Sequence, residues 1–396
     1  MTIDVLIAGA GPSGLSAALF LSDHGVNVTV IDRLQGPGTD PRAATFHPPT
    51  LEVLAPSGVT DELHEQGLIS NTWQRRSRRE GLVAEFDLIT LKDDTAYPYR
   101  LQCEQHKLVN ILFDKLRDRP EVTFKLGHEV LDVRQAEDHV EVVTTQGTLR
   151  TKYLIGADGG RSVVRKSQNI DFTGFTYQER FLVVTSTFDF GAEGYALSNY
   201  IADPEEWCAV FKVPGDRPEG LWRTVFPTDV ETPEAELLSV EHARKKQASV
   251  LPEGAEFDIT HVNLYQVHQR VATTFRKDRV LLIGDAAHVN NPLGGMGMNF
   301  GIHDAKSAAE ALVDVLKNGA DDDVLSRFDR RRRAVANEFL QRLTIQNKKS
   351  LEETDPEARA KADEALRKAA SDPVASRNYL LETSMIASCR AAAAIQ

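Results

Sequence analysis

Short apolar runs that stop at a glycine recur at two distant places in the chain. Residues 3–8 are mostly apolar and stop at Gly9, and the run 28–31 follows a helical pattern that opens near Pro12. Strand, glycine turn, helix and strand within about 30 residues form a βαβ unit, which predicts a parallel sheet. Residues 280–283 show the same apolar run stopping at glycine, and they are predicted to form another buried parallel strand.

The segments between these strands have other periods. Residues 104–117 have the spacing of an amphipathic helix, whereas 121–156 alternates as strands do and 179–226 is strand-like and rich in aromatic residues. Residues 233–249 are predicted as a helix, and the chain after about residue 298 has a helical composition. This order of elements predicts an α/β fold with two domains interleaved in sequence.

Composition and charge exclude several classes of function. The 396 residues include 58 acidic and 46 basic side chains, and the net charge of −12 argues against a general affinity for nucleic acid or anionic lipid. Three separated cysteines, Cys103, Cys208 and Cys389, suggest neither a zinc site nor a disulfide framework. No apolar run reaches the roughly 18 residues of a membrane span. We expect a cytoplasmic protein with reduced thiols, without a metal and without nucleic-acid or membrane partners.

The first chemical motif lies between the first strand and the first helix. Gly9-Ala-Gly11-Pro-Ser-Gly14 has the GxGxxG spacing, and Asp32 closes the next strand. Gly9 permits the tight turn, Gly11 lets the backbone approach a pyrophosphate, and Gly14 allows close helix–strand packing. The helix N-terminus offers N–H groups to phosphates, and Asp32 is placed to accept hydrogen bonds from ribose. The motif predicts dinucleotide binding but does not separate NAD from FAD.

Two glycine–aspartate pairs follow later strands. Residues 154–156 run into Asp158-Gly159, which alone could be an ordinary acidic turn.

The other pair, Gly284-Asp285, ends the strand 280–283, so Asp285 can reach a polyol or ribose at the carboxyl edge of the sheet. The glycines between 294 and 297 then expose backbone N–H groups at the start of a long helix. Such a helix start suits developing negative charge, as on a reduced flavin ring.

The three motifs, in this order and at these separations, resemble the single-component FAD-dependent aromatic hydroxylases, the para-hydroxybenzoate hydroxylase family. The resemblance covers nearly the whole chain. It implies that the first motif holds the ADP part of FAD, that Asp158-Gly159 serves both FAD and the nicotinamide cofactor, and that Gly284-Asp285 holds the ribityl chain.

Smaller matches extend the resemblance. Arg42 fits the arginine of the loop after the second strand, and Gln105 fits a glutamine that meets the FAD ribose. Val130 fits the position whose backbone meets the adenine, and residues 292–299 fit the segment at the flavin ring. The cofactor-binding residues implied in this way are Gly9, Gly11, Ser13, Gly14, Asp32, Arg33, Arg42, Gln105, Val130, Asp158, Gly284, Asp285, Gly295, Gly297, Met298 and Asn299.

The resemblance also implies a domain layout and a reaction. A GxGxxG Rossmann-like FAD-binding domain would comprise 1–70, 101–178 and 272–320, interleaved with a mixed β-sheet substrate domain of 71–100 and 179–271 and followed by C-terminal helices over 321–396. NAD(P)H would reduce FAD, and O₂ would then form a flavin C4a-hydroperoxide that hydroxylates a small phenolic or N-heteroaromatic substrate. The C-terminal helices could close the domain or pair with a second subunit, which leaves a homodimer open.

The motifs supply no base to deprotonate the substrate. Some phenol-hydroxylating relatives carry a His or Asp shortly after the loop arginine, and Ala44 takes that position here. His47 is the nearest titratable group and the candidate catalytic residue, with a packing or FAD-proximal role as the alternative. His288 is expected to be structural or close to the flavin. The basic run 75–79 is expected to be a solvated loop, with steering of a nicotinamide phosphate or an acidic substrate as the alternative.

Other functions on the same scaffold stay open at this point. A flavin-dependent reductase or dehydrogenase would carry the same cofactor residues, and a non-catalytic dinucleotide-binding protein would carry the first motif. A flavin-dependent halogenase is disfavoured, because Trp73, Trp207 and Trp222 stand alone and do not form the WxWxIP segment of that family.

Overall fold

The N-terminal glycine motif lies at the carboxyl end of an inner strand of a mainly parallel sheet, as the sequence predicts. The computed structural model describes residues 3–39 and 43–396. Within them the strands, in chain order, are β1 (Ile3–Ala8), β2 (Val28–Asp32), β3 (Thr45–Phe46), β4 (Leu68–Ser70), β5 (Thr72–Ser77), β6 (Gly81–Asp87), β7 (Arg100–Gln102), β8 (Val122–Leu126), β9 (Val130–Gln135), β10 (Val140–Thr144), β11 (Gly147–Gly156), β12 (Phe172–Ser186), β13 (Ser198–Ala202), β14 (Cys208–Val213), β15 (Leu221–Pro227), β16 (Ile259–Ala272), β17 (Arg276–Lys277), β18 (Val280–Leu282) and β19 (His288–Val289).

Helices cover both faces of this sheet and most of the C-terminal part of the chain. Over the same residues they are α1 (Pro12–Ser22), α2 (Pro48–Leu54), α3 (Val59–Gln66), α4 (Gln105–Leu116), α5 (Val163–Ser167), α6 (Glu234–Leu237), α7 (Val240–Ala248), α8 (Gly297–Lys317), α9 (Asp323–Val335), α10 (Arg342–Leu351), α11 (Pro356–Ser371), α12 (Pro373–Thr383) and α13 (Ile386–Ala394). A π-helical stretch, Ala336–Gln341, joins α9 to α10.

The first sheet has the strand order β17-β18-β11-β1-β2-β8, in which every neighbouring pair except β17–β18 is parallel. An antiparallel arm, β9–β10, extends from β11. Ile7 faces Val30 on one side and Ile155 on the other, and all three are fully buried. Near-continuous apolar strands are typical of a parallel sheet covered on both faces. The strands of this sheet come from three separate stretches of the chain, so the interleaving predicted from sequence is present.

The second sheet is mainly antiparallel, with the order β19-β16-β12-β15-β14-β13-β5-β6. Its longest pair, β12 and β16, extends from Phe172 opposite Ala272 to Ser186 opposite Ile259, with register shifts between Thr176 and Arg180 and at Ser186. A third, small sheet has the order β3-β7-β4. The fold class is thus the predicted one, and the exact limits of the domains stay a prediction.

Two local expectations were wrong. The single helix expected over 233–249 is split into α6 and α7, because the Ser239 side chain accepts a hydrogen bond from the His242 N–H (3.1 Å) and caps a new helix. The basic run 75–79 is not simply a solvated loop, since it begins within β5. Arg75 is 6% exposed there and donates to the Ser350 carbonyl at 2.7 Å.

The C-terminal helices pack against the second sheet. Asp94, which precedes β7, accepts hydrogen bonds from Arg377 of α12 (2.6 Å) and from Arg390 of α13 (2.8 Å). Tyr379 of α12 stacks on Phe86 of β6 at a centroid distance of 4.6 Å. Among the helices that the structure describes, none is both long enough and apolar enough to cross a membrane.

Candidate active site

The first motif leaves open space at the one glycine where the backbone must approach a phosphate. A Cβ at Gly9 would overlap the Ala157 carbonyl oxygen, and a Cβ at Gly14 would overlap the Gly9 carbonyl oxygen. A Cβ at Gly11 would meet nothing within 4 Å. Two glycines therefore serve packing, and the third borders an open cradle at the N-terminus of α1. This geometry fits the pyrophosphate of a bound dinucleotide.

Asp32 lies beside this cradle and is anchored by the backbone. Its carboxylate accepts the N–H of Ala10 (2.8 Å) and the N–H of Leu34 (2.8 Å), which fixes its direction at the end of β2. The neighbouring Arg33 is exposed. Arg42 was also predicted to bind the cofactor, but it falls outside the described residues.

The carboxylate of the second motif, Asp158, accepts hydrogen bonds from the N-terminus of α5. Asp158 accepts hydrogen bonds from the Ser162 hydroxyl (2.5 Å) and from the N–H groups of Val163 (2.7 Å) and Val164 (3.1 Å) at the start of α5. Burial raises the pKa of Asp158, although these hydrogen bonds act to lower it. Gly159, with φ +81°, faces open space. The backbone of this turn, rather than the carboxylate, is thus the part left available to a ligand.

The third motif rests on a buried charge network centred on Asp304 of α8. Asp304 accepts the Gly284 N–H (3.0 Å) and a ring N–H of His288 (2.6 Å) with one carboxylate oxygen, and Arg332 Nε (2.6 Å) with the other. Burial alone would raise the pKa of Asp304, but His288 and Arg332 lower it to about 2. The network fixes the turn that presents Asp285, which is exposed between buried neighbours. Neither Asp304 nor Arg332 was found from sequence, since a lone Asp and a basic helix face carry no motif.

Close packing joins the three motifs. Ser13 of α1 fills the space beside Gly284 and Gly301, where a Cβ on either glycine would overlap its hydroxyl oxygen. Arg165 of α5 donates to the Ala286 carbonyl at 2.8 Å, which ties the second motif to the third. Ser13 was predicted to bind the cofactor, and its side chain packs against the protein.

The other predicted cofactor residues lie at the starts of helices and strands. Gln105 is the first residue of α4 and donates its N–H to the Ala43 carbonyl at 2.7 Å, and the buried Val130 begins β9. Gly297 and Met298 lie in the first turn of the 21-residue helix α8, where backbone N–H groups have no intrahelical acceptor.

The glycines before α8 do not offer the N–H groups that we expected. The Gly294 N–H donates to the Tyr200 hydroxyl (3.0 Å), and the Gly295 N–H donates to the Pro292 carbonyl (3.0 Å). The donors available to a flavin at this point are thus those of the first turn of α8. Asn299 is also fully committed, with its amide N–H groups on the carbonyls of Thr45 (2.8 Å) and Gly295 (2.7 Å).

His47 is fully buried, and its ring is neutral. Its Nε2–H donates to the Gly294 carbonyl at 2.9 Å, and its backbone N–H donates to Asn299 Oδ1 at 2.9 Å. Burial, followed by the positive charge of Arg100, lowers the pKa of His47 to about 3, although the Gly294 carbonyl opposes the shift. In the part of the chain that the structure describes, Nδ1 has no hydrogen-bond partner. His47 can therefore accept a hydrogen bond from a ligand, but it is a weak base.

A group of side chains near His47, namely Arg100, Trp73, Tyr200 and Tyr379, was missed by sequence reasoning. Because a ligand is proposed below to bind among them, we call this group the Arg100 pocket. Arg100 is 3% exposed, lies 5.7 Å from the Trp73 ring centroid and is close to the Tyr200 hydroxyl. The sequence carried only a weak signal for it, an arginine at the start of the three-residue strand β7.

The chain matches known flavoproteins along almost its whole length. Residues 2–343 match the family model described as FAD binding domain. The chain is 35% identical over 387 residues to para-nitrophenol 4-monooxygenase of Pseudomonas sp. (strain WBC-3), covering 96% of this chain and 95% of that protein. It superposes on the crystal structure of p-nitrophenol 4-monooxygenase from Pseudomonas putida DLL-E4 with a TM-score of 0.91 and 34% identity, covering 97% of this chain and 98% of that one.

The chain belongs to the family of FAD-dependent aromatic hydroxylases. A further relative is 6-hydroxy-3-succinoylpyridine 3-monooxygenase of Pseudomonas putida (strain DSM 28022 / S16), 33% identical over 339 residues, which cover 84% of this chain and 85% of that protein. The predicted family and fold class are confirmed, and the protein is a flavin-dependent monooxygenase that binds FAD. The assignment of single residues to FAD stays a prediction.

The glycines of the first motif give a matched pair of variants. Gly11→Ala should fold as stably as the parent, because its Cβ enters open space, yet it should weaken FAD binding at least about tenfold by filling the cradle. Gly14→Ala should instead lower the melting temperature of the FAD-free protein, because its Cβ overlaps backbone. Calorimetry of the FAD-free protein and fluorescence titration with FAD measure the two effects. Equal FAD affinity in Gly11→Ala and the parent would contradict the cradle.

Buried histidines predict sensitivity to acid. Burial and the charge of Arg332 lower the pKa of His303 to about 3, whereas the unfolded chain titrates near 6.5. The unfolded state therefore binds more protons between these values, so this stability is complete above about pH 6.5 and is lost as the pH falls towards 3. Urea titrations from pH 7.5 to 4.5 should show this decline, and His303→Gln should flatten it by up to about 1.4 kcal/mol per pH unit. His261→Gln, at an exposed site, is the control; an unchanged slope in His303→Gln would refute the assignment.

Proposed function

We propose that this protein uses FAD, NAD(P)H and O₂ to hydroxylate a small phenolic ring that binds in the Arg100 pocket with its oxygen ionised. Two relatives are named for hydroxylated aromatic rings, a nitrophenol and a hydroxypyridine. When bound, FAD supplies the redox chemistry that delivers one oxygen atom of O₂ to the ring. The residues of the chain supply the binding, the orientation and the exclusion of water.

The observation that carries this proposal is the unbalanced charge of Arg100. Arg100 is buried, and none of the described carboxylates lies within ion-pair distance of its guanidinium. Its other contacts are the Tyr200 hydroxyl and a long contact to the Thr383 carbonyl (3.4 Å), and Nε has no partner in the described chain. Burying a cation without a counter-ion is costly, so the site is complete only with an anionic ligand. A phenolate is the simplest aromatic anion that supplies this charge.

The polar atoms around Arg100 favour a ligand that carries oxygen. Trp73 Nε1 and His47 Nδ1 are both buried and, within the described chain, lack partners. The indole offers a donor and the neutral imidazole an acceptor, so the pocket can bind two different polar substituents of one ring. Stacked Trp73 and Phe86, with ring centroids 4.8 Å apart, provide a flat aromatic wall.

In this arrangement the positive charge of Arg100, and not a base, favours the ionised form of the phenol. A histidine whose pKa is about 3 cannot remove the proton of a phenol, whose pKa in water is about 10 for tyrosine. Arg100 instead lowers the pKa of a bound phenol by favouring its ionised form. An ionised ring oxygen makes the ring electron-rich, which is the property that hydroxylation requires. The proposed role of His47 is therefore to hold the site and accept a hydrogen bond, and its predicted role as the base has no support in its pKa.

A basic cluster beside the second motif supports the proposed use of NAD(P)H. Arg161 directly follows the turn after Asp158 and is exposed. The exposed His268 and the half-buried Arg270 lie near it on β16, and the positive charges of Arg270 and Arg161 add to desolvation in lowering the pKa of His268. We assign this cluster to the phosphates of the nicotinamide dinucleotide.

The purified protein tests the function directly. It should retain FAD absorbance, and 4-nitrophenol or a hydroxypyridine should stimulate NAD(P)H oxidation and yield a product with one oxygen atom from ¹⁸O₂. The proposal fails if FAD neither copurifies nor restores NAD(P)H oxidation. Stimulated oxidation without oxygen incorporation for every ring tried would favour the reductase alternative.

Replacing Arg100 by methionine tests the charge. Arg100→Met should weaken substrate binding at least about 30-fold, since losing one partner of a buried charge pair costs about 2–5 kcal/mol. Titration of the bound-flavin spectrum with 4-nitrophenol measures this binding without turnover. The control is Arg76→Met, because the Arg76 guanidinium stacks on Tyr195 at 3.9 Å, away from the pocket. Parental affinity in Arg100→Met would mean that the anion binds elsewhere.

A further inference from the structure

Every backbone N–H and carbonyl group of the three-residue turn 293–295, just before α8, makes a hydrogen bond. The Leu293 N–H donates to Asn291 Oδ1 (3.1 Å), and the Leu293 carbonyl accepts from Asn347 Nδ2 (3.2 Å). The Gly294 N–H donates to the Tyr200 hydroxyl (3.0 Å), and the Gly294 carbonyl accepts from His47 Nε2 (2.9 Å).

Gly295 completes the set. Its N–H donates to the Pro292 carbonyl (3.0 Å), and its carbonyl accepts from Asn299 Nδ2 (2.7 Å). We call this turn, 293–295, and the side chains that hold it the clamp; these side chains are Asn291, Asn347, Tyr200, His47 and Asn299.

The clamp restrains a backbone that would otherwise be free to rotate. Gly294 has φ +109° and Gly295 has φ +64°, and two adjacent glycines place few limits on a peptide. The restraining side chains come from separate parts of the fold: Tyr200 from β13, His47 from the end of β3, Asn347 from α10 and Asn299 from α8. Three distant elements and the helix that follows thus converge on one turn, which selects a single orientation of the Gly294 peptide.

The clamp also connects the substrate side to the cofactor side. The Tyr200 hydroxyl accepts the Gly294 N–H and lies close to Arg100. The turn leads directly into Gly297 and Met298, the first turn of α8, where the available N–H donors lie. An anion on Arg100 would therefore lie near the hydroxyl that holds the Gly294 peptide, next to the residues predicted to contact the flavin.

We infer that the clamp residues Tyr200 and Asn347 are positioning residues that keep the 293–295 turn rigid, so that the electrons of NAD(P)H end in hydroxylated product rather than in hydrogen peroxide. This inference rests on the proposed function. At a ring carbon that bears hydrogen, the productive reaction converts ArH, NAD(P)H, H⁺ and O₂ into ArOH, NAD(P)⁺ and water; at the nitro-bearing carbon of 4-nitrophenol the same reactants give benzoquinone, nitrous acid, NAD(P)⁺ and water. The wasteful reaction converts NAD(P)H, H⁺ and O₂ into NAD(P)⁺ and H₂O₂. Both consume the same nucleotide, so their ratio reports the geometry of the site and not its overall rate.

Asn347→Ala is the principal variant, because Asn347 lies outside the Arg100 pocket and loses one hydrogen bond to the turn. Tyr200→Phe removes a single oxygen and provides a second, smaller change. Gln341→Ala is the matched control, since Gln341 Nε2 donates to the Val289 carbonyl (3.0 Å), a similar amide–carbonyl bond outside the turn.

Hydrogen–deuterium exchange of the FAD-loaded protein is the first measurement and needs no turnover. The peptide that contains residues 293–295 should exchange about fivefold faster in Asn347→Ala and Tyr200→Phe, the change expected for one lost hydrogen bond. It should keep the parental rate in Gln341→Ala. Equal exchange in all four proteins would overturn the clamp.

The second measurement is the ratio of H₂O₂ formed to NAD(P)H consumed at saturating 4-nitrophenol. It should rise severalfold in Asn347→Ala and Tyr200→Phe, with FAD affinity and melting temperature close to parental, and stay low in Gln341→Ala. Faster exchange with an unchanged ratio would show that rigidity of the turn does not matter, and the inference would be wrong. If the parent hydroxylates no ring at all, the proposed function fails, while the exchange experiment still tests the clamp.

Discussion

The packing of α1 against α8 is the constraint on which the site depends. Ser13 occupies the space left by two glycines, Gly284 and Gly301, so the first and third motifs can approach only where side chains are missing. Gly9 and Gly14 likewise leave out side chains where the first motif packs on itself and on Ala157. Because interiors are packed as densely as organic crystals, a methyl group at any of these positions would push apart the elements that form the cofactor cradle. The glycines therefore serve the assembly of the site as much as its contact with a ligand.

Two buried charges show how a structural group differs from a functional one. Asp304 is balanced within the chain, by Arg332, His288 and the Gly284 N–H, so it needs nothing from outside. Arg100 is buried to a similar degree, but its neighbours are aromatic rings and hydroxyls. Both charges are costly to bury, and among the described residues only the first is paired with opposite charges. The proposed anionic ligand would supply the missing charge at Arg100.

The sequence predicted the features that depend on neighbours in the chain. Strand, glycine turn and helix at 3–22, and the strand that stops at Gly284, follow from local pattern and appear as expected. The Arg100 pocket could not be predicted in this way, because β5, β7, β13 and α12 each contribute one side chain to it. The basic run 75–79 shows the same limit: its composition suggested a solvated loop, whereas pairing with β6 and β13 turns Arg75 inward. Long-range pairing decided these positions.

The side chains of the pocket come from both inside and outside the part of the chain that the family model matches. The match to the family model ends at residue 343, and Tyr379 lies beyond it, on α12, where Arg377 pairs with Asp94 and Tyr379 stacks on Phe86 of the second sheet. The cofactor cradle, the Asp304 network and Arg100 all lie within the matched part. The predicted cofactor residues and the proposed anion site therefore lie within the matched part, while one aromatic side chain of the pocket, Tyr379, lies on α12 beyond it. A change in α12 could then alter which ring fits beside Arg100 while the cofactor cradle, which lies on a different sheet, stays intact.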